Sequence, residues 1–345
     1  MNVPAASTRT VALIGGSGDV GRMMAARLRA DGNTVRTIDI RFTDRSDPDQ
    51  VKGDVTDPSP ELRAVVHAAD AVILAIPESV ALEAIPFVVA ELPEHALLVD
   101  TLSVKSRFDA ALRDSALRNG AVGINPMFAP SLGPEGRPVA AVTYRDSDEV
   151  EWFLSVLSGW GSSVVRLDAE HHDRLTAATQ ALTHAGVLAF GLALADLGVD
   201  GAELTAVGTP PHLVSLALLA RVGGGVPEVY RDIQAGNPFA GEARRALAAA
   251  LTTLTETVER GSEDDFASLM SRSTSALGDR SEPLARLCAD LFTDLVRRQP
   301  QSWDRNGDSS CRPRRLPRSR STTRRIRWRA PLCPGSPGTG DSGRP

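Results

Sequence analysis

Residues Val11 to Gly21 read VALIGGSGDVG: a short apolar run that passes into Gly16-x-Gly18-x-x-Gly21, with a helical pattern beginning near Asp19. Each glycine has a separate job at a strand-to-helix turn. Gly16 permits the tight turn, Gly18 lets a pyrophosphate approach the backbone, and Gly21 allows helix and strand to pack closely. The first-turn N–H groups, at Asp19, Val20 and Gly21, have no intrahelical acceptor and are free for an anion. A lone motif of this kind is weak, but its context strengthens it. It lies at the first strand–helix junction, and the next strand ends in Asp39, about 20 residues on, where a carboxylate can accept from adenosine ribose hydroxyls and repel a 2′-phosphate. The expected cofactor is NAD, although Arg41 and Arg45 lie close enough to soften that preference.

Outward from this loop, short β-branched runs alternate with helical stretches, the pattern of βαβ units in a parallel sheet. Strands are expected at 10–14, 34–38, 71–76, 96–100, 121–124, 139–143 and 163–167, with helices starting near Gly18, Ser79, Lys105 and Asp148. Pro77, Pro86 and Pro93 fit strand ends or helix boundaries better than helix interiors. From Ala169 the strand signal stops, and Ala/Leu-rich helical segments run to about Arg298. The fold class is therefore α/β: a Rossmann-type doubly wound parallel sheet over 1–168, followed by an all-helical domain over 169–300. The segment 169–197 is apolar on more than one face, which calls for burial in its own domain or against a second subunit.

Composition sets the outer limits. A chain of 345 residues with 42% hydrophobic and 23% charged residues has ordinary globular composition, which excludes wholesale disorder and a disulfide scaffold. Cys288, Cys311 and Cys333 offer neither an even framework nor metal-ligand spacing, so no metal and a reducing, cytoplasmic setting are expected. The most apolar stretch, 185–195, is about half the ~20 residues a bilayer span needs, and MNVPAASTRT has no apolar leader core, so no membrane partner is expected. The net charge of −5 conceals an asymmetry: 301–345 carries eleven arginines against three aspartates, leaving −13 on the first 300 residues. That Arg/Pro-rich tail has almost no apolar periodicity and reads as disordered. Flexible arginines suit phosphates, but the body is acidic and no aromatic platform accompanies the run, so no nucleic-acid partner is expected.

Four further stretches come in order: VDTLSVKSR (99–107), GINPMFAPSLGPEG (123–136), EHHDRLTAATQALTH (170–184) and TPPHLVSLALLARV (209–222). Together with the glycine loop they resemble the prephenate and arogenate dehydrogenase family, over roughly 10–298. The resemblance implies an NAD-dependent oxidative decarboxylation of a small cyclohexadienyl substrate by a homodimer built through its helical domain. It implies that Ser103 sits beside the C4 substituent, that Lys105 closes the same loop near the site, and that His172 lines the pocket. It further implies that Arg221 holds a substrate carboxylate, for which a planar guanidinium is well shaped. Tyr230, Asp232 and Asn237 fall in a region expected to close the pocket. Each has a plainer competitor: Ser103 as a helix cap, Lys105 as an exposed first-turn lysine.

One position departs from the family pattern. Where family members carry a histidine before the proline-methionine pair, as the base for the C4 hydroxyl, this chain has Asn125. Asparagine cannot act as a general base near neutral pH, and losing such a base costs about 10²–10⁴-fold. A substrate whose C4 bears an amine escapes this requirement, because the nitrogen lone pair expels the hydride directly. The implied reaction is that of the family offshoot acting on 4-amino-4-deoxyprephenate, yielding 4-aminophenylpyruvate, an antibiotic precursor. The alternatives are a prephenate or arogenate dehydrogenase using another base such as His172, and a non-catalytic NAD-binding regulator.

Overall fold

The computed structural model describes residues 8–43 and 47–298; Arg45 and the basic tail lie outside them. The chain opens with β1 (Thr10–Ile14), α1 (Asp19–Ala30), β2 (Thr34–Asp39), β3 (Gln50–Lys52), α2 (Pro60–His67), β4 (Ala71–Leu74), α3 (Glu78–Glu91) and β5 (Leu97–Asp100). It continues with α4 (Ser106–Arg113), β6 (Ala121–Pro126), β7 (Pro138–Arg145), α5 (Asp148–Gly159) and β8 (Ser163–Leu167). The strands form one eight-stranded sheet in the order β3-β2-β1-β4-β5-β6-β7-β8. Strand order reverses between β1 and β4, which opens a crevice at their carboxyl ends, the usual ligand position in such sheets.

Side-chain alternation explains why both faces are covered. Ala12, Ile14, Val72, Leu74 and Leu98 pack on one face with residues of α2, α3 and α4. Val11, Leu13, Ala71, Ile73, Leu97 and Val99 pack on the other with α1 and α5, as the two-residue period of a strand requires.

Three features differ from the sequence expectation. The sheet is not wholly parallel, since β7 runs antiparallel to β6, Asn125 pairing with Ala140. The unit of β3 and α2 carries weak periodicity, although Ser59-Pro60 is a legible start: Ser59 Oγ accepts from Leu62 N–H at 3.2 Å, and Pro60 opens the helix. Pro86 lies inside α3, not at a boundary. It is on the exposed face, where water can satisfy the carbonyl that the proline leaves unpaired.

From Ala169 the described chain is helical: α6 (Ala169–Thr176), a π-helical stretch (Ala177–Leu182), α7 (Thr183–Leu197), α8 (Gly201–Ala206), α9 (Pro210–Gly223) and α10 (Pro227–Gly236). Then follow α11 (Ala240–Arg260), α12 (Glu263–Thr274) and α13 (Ser281–Arg298). The run Ala169–Leu197 is one 29-residue rod, long and apolar enough by length and composition alone to cross a membrane, where the sequence reading saw only half a span. α7 buries none of its residues within this chain, and Leu192 is 69% exposed. The segment is thus divided: its first half is packed within the chain, Ala169, His172, Asp173, Thr176, Ala177 and Ala181 being buried, while α7 is left uncovered among the described residues.

Candidate active site

The site begins at the glycine loop, in the crevice between β1 and β4. The residue that turns the chain is Gly15, not Gly16: it has φ of +91°, and a Cβ there would lie 2.1 Å from the Ala75 carbonyl oxygen. Gly16 serves close approach instead, since its Cβ would meet that of Thr37 at 2.6 Å. At Gly21 a side chain would fall 2.2 Å from Gly15 O, whereas at Gly18 the nearest atom is 3.4 Å away. Gly18 is the N-cap of α1 and has no side chain to cap it, so the first-turn N–H groups face the open side of the loop. The Asp19 carboxylate is turned to Arg22.

Asp39 is buried. Its Oδ2 accepts from Ser17 N–H (3.0 Å) and Ser17 Oγ (2.7 Å), its Oδ1 from Arg41 N–H (2.9 Å) and Arg41 Nε (3.3 Å). Burial alone would raise its pKa, but these bonds outweigh it and hold the carboxyl below its usual range. An uncapped helix start, an open glycine and an ionised carboxylate on the neighbouring strand fit a dinucleotide.

Next to this loop, the end of β5 and the turn into α4 carry a buried charged cluster. Lys105 is fully buried, its ammonium donating to Asp100 Oδ1 and, at 2.9 Å, to the Ile124 carbonyl. Burial lowers its pKa and the Asp100 charge opposes that. Lys105 is therefore not an exposed first-turn lysine: two of its three N–H donors are used within the fold, where they fix the ends of β5 and β6. Ser103 does not cap α4. Asp173 does so from 68 positions away, its Oδ1 accepting from Lys105 N–H and its Oδ2 from Ser106 N–H, both at 2.9 Å. Among the described residues no hydrogen bond engages the half-buried Ser103 hydroxyl.

The same Asp173 orients His172. His172 Nδ1 lies 2.8 Å from Asp173 Oδ1, so it carries the proton, and Nε2 is left as the acceptor for the Asn125 amide N–H at 3.2 Å. Burial pulls the His172 pKa down, with the Lys105 charge adding to it against the pull of Asp173. His172 is therefore a buried neutral ring with both nitrogens engaged, a poor substitute base. With its nitrogen committed to His172, Asn125 keeps Oδ1 as the acceptor for a ligand. Asn237 locks the arrangement, donating to the Asp173 carbonyl (2.8 Å) and to Thr176 Oγ1 (3.1 Å).

A second polar group lies on the helical side. His184 meets the Tyr230 ring edge-on at a centroid separation of 4.8 Å, and Gly225 gives Tyr230 room, since a Cβ there would lie 2.4 Å from its Cε2. Burial and then the positive charge of Arg221 lower the His184 pKa. Arg221 itself is exposed in the last turn of α9. Gln180 Nε2 faces Met127 Sδ at 3.9 Å, which ties this group to the Asn125 strand. Gln180 Oε1 and His184 Nδ1 are both buried without a partner among the described residues, as polar atoms awaiting a ligand would be.

His184, Gln180 and Asp173 were passed over in the sequence reading, yet a signal was there. His172, Thr176, Gln180 and His184 form a polar stripe with a spacing of four along the rod. On an ideal α-helix such a stripe drifts around the axis; the π-helical stretch 177–182 is wider per turn and counters that drift.

Comparison with known proteins places this geometry among relatives. Residues 24–142 match the family described as "Prephenate dehydrogenase, nucleotide-binding domain", and residues 168–272 that described as "Prephenate dehydrogenase, dimerization domain". The chain is 50% identical over 284 residues to the 4-amino-4-deoxyprephenate dehydrogenase of Streptomyces pristinaespiralis, covering 82% of this chain and 96% of that one. It is 32% identical over 228 residues to the T-protein of Enterobacter agglomerans, covering 65% of this chain and 56% of that longer protein. Among solved structures, prephenate dehydrogenase from Aquifex aeolicus aligns with a TM-score of 0.57 at 20% identity, over 76% of this chain and 97% of that one. Synechocystis arogenate dehydrogenase aligns with a TM-score of 0.55 at 19% identity, over 79% and 99%.

Proposed function

The chain belongs to the prephenate dehydrogenase family, and from that premise we propose that it is an NAD-dependent dehydrogenase converting 4-amino-4-deoxyprephenate to 4-aminophenylpyruvate with loss of CO2. The observation that carries the reading is Asn125, which stands in the base position with its amide nitrogen bound to a neutral His172. Neither Asn125 nor this neutral, doubly engaged His172 can take the proton of a C4 hydroxyl. An amine at C4 can donate N–H to Asn125 Oδ1 and release its electron pair toward C4 without that acceptor. Half of all aligned positions are shared with a relative that bears this activity in its name.

The chain's own residues supply binding and orientation. The N–H groups of Asp19, Val20 and Gly21, with the open face of Gly18, hold the pyrophosphate. Asp39 takes a ribose hydroxyl in place of the long 3.3 Å contact from the exposed Arg41 side chain, and its charge disfavours a 2′-phosphate. When bound, NAD would supply the acceptor for the hydride that leaves C4. Ser103 hydrogen-bonds the C4 substituent. Arg221, with no intramolecular carboxylate partner among the described residues, takes a substrate carboxylate, and Tyr230 and His184 wall the ring. Lys105 and His172 act beneath, holding the turn and Asn125 in place. We read 1–168 as the NAD-binding domain and 169–300 as the substrate and dimerisation domain of a cytoplasmic homodimer, whose second subunit covers the bare face of α7.

The test is NADH formation, followed by absorbance, with prephenate, arogenate and 4-amino-4-deoxyprephenate offered to one preparation. The amino compound is expected to turn over at least about tenfold faster at equal concentration, a small part of what a misplaced base costs. Equal or faster turnover of prephenate defeats the proposal.

A further inference from the structure

Glu78, the first residue of α3, stands at the carboxyl end of β4, on the crevice side of the sheet. It occurs in none of the motifs discussed above. Its side chain is 7% exposed. Oε2 accepts from Arg107 Nη1 at 2.9 Å, and Oε1 is buried with no partner among the described residues. A buried carboxylate with half its acceptors idle is costly and asks for a donor.

The surroundings specify what kind of donor. A Cβ on Gly236 would lie 2.8 Å from Glu78 Oε2 and 3.7 Å from Val104, so the carboxylate is wedged between the C-terminal end of α10 and the turn that carries Ser103. A helix C-terminus is a partially negative surface. The charged groups facing Glu78 are Arg107 on α4, Asp232 on α10 and Asp173 on α6. Arg107, the one cation of the three, is 55% exposed. Burial raises the Glu78 pKa, Arg107 opposes this, and the two aspartates add to it. Arg107 and the start of α3 answer one side of the carboxylate, while Oε1, facing the end of α10 and two aspartates, is short of one N–H, so a cation that brings its own protons completes it.

We propose that Glu78 receives the C4 ammonium of the substrate and takes one of its protons before the hydride leaves. The inference rests on the function proposed above and adds the step which that reading left open. Aliphatic amines are mostly protonated at neutral pH, and an ammonium nitrogen has no lone pair with which to expel a hydride. In the proposed step one N–H bond breaks and an O–H bond forms at Glu78 Oε1. The ammonium becomes a neutral amine and the carboxylate a carboxylic acid, so charge and protons balance. The freed pair stays on nitrogen, adjacent to C4. A carboxyl shifted upward by burial is better matched to this exchange than an ordinary one. A C4 hydroxyl brings no positive charge to pair with the carboxylate, so Glu78 favours the amino substrate over it.

The experiment compares wild type with E78Q, which keeps the shape and an acceptor for Arg107. Binding of 4-amino-4-deoxyprephenate and of prephenate to cofactor-free enzyme is measured by calorimetry in buffers of different ionisation enthalpy. Wild type should bind the amino compound with little proton exchange at neutral pH. E78Q should bind it at least about tenfold more weakly, because the charge partner is gone, and should release close to one proton to the buffer, since only the free amine then fits. Prephenate affinity should change less than about threefold. In turnover, kcat/KM for the amino compound should fall by about 10²-fold or more, with the prephenate value nearly unchanged. Equal losses for both substrates, or an unaltered proton count, overturn the proposal. R107A guards against misfolding of E78Q, because Arg107 is exposed. Removing that cation should move the acid limb of the amino-substrate pH profile to higher pH, and an unmoved limb also counts against Glu78. Failure of the underlying function reading shows separately, in wild type alone, as a preference for prephenate.

Discussion

Asn125 and His172 are one unit, because the proton on His172 Nδ1 decides which way the asparagine amide points. N125H should shift the ratio of prephenate to amino-compound turnover toward prephenate by about tenfold or more, by restoring a base at the reacting position. An unchanged ratio in a side-by-side assay would show that the residue does not set substrate choice. His172 also has a signature in stability. Its pKa is lowered in the folded protein from 6.5, mainly by burial, so the unfolded chain binds its proton more readily. The neutral ring's contribution is complete above the unfolded value and is lost as pH falls below 6.5 toward the folded value. His184 is shifted in the same direction. The urea midpoint of wild type should therefore fall as pH drops through this window, and H172N should show a shallower fall; parallel curves would contradict the assignment. Residue chemistry of this kind was only partly legible. Asn125, Ser103 and Arg221 stood inside recognisable stretches, whereas Glu78 had no motif, since its meaning comes from α10 and α4 closing over it.

At the level of elements, the glycine loop shows how a pattern can be right in kind and wrong in detail. The spacing of Gly16, Gly18 and Gly21 announced a strand–loop–helix unit, but the left-handed turn falls on Gly15, one residue earlier. Sequence cannot separate two adjacent glycines; contact with Ala75 and Thr37 does. G21A should push α1 away from Gly15 O. It is expected to cost about 1–3 kcal/mol of stability and to weaken dinucleotide binding at least tenfold by fluorescence titration, and near-wild-type binding would mean that the helix start is not the phosphate site. Pro86 carries a similar lesson. A proline read as a breaker is tolerated within α3 because its turn faces solvent, and the side that faces solvent is a tertiary fact.

Across the whole molecule, the long rod from Ala169 to Leu197 joins the two halves of the described chain. Its first turns carry Asp173 and His172 into the sheet-bearing half, while its later turns leave apolar side chains uncovered. L192E places a charge on that bare face and should dissociate the proposed homodimer at micromolar concentration, seen by sedimentation. The cofactor loop, in the sheet-bearing half, should still bind NAD. A dimer that survives the charge would place the interface elsewhere.

The sequence by itself determined the alternation of strands and helices, the nucleotide loop, the switch to an all-helical second half and the order of the family's motifs. All of these depend on periodicity and near-neighbour spacing, which a chain carries locally. Only the tertiary structure decided that Asp173 caps α4 across 68 positions, that Lys105 is sealed under the site, that Arg221 is left exposed beside His184 and Tyr230, and that Glu78 keeps an unpaired oxygen. Burial and hydrogen-bond completion are properties of what folds over a residue, and segments distant in the chain supply that cover.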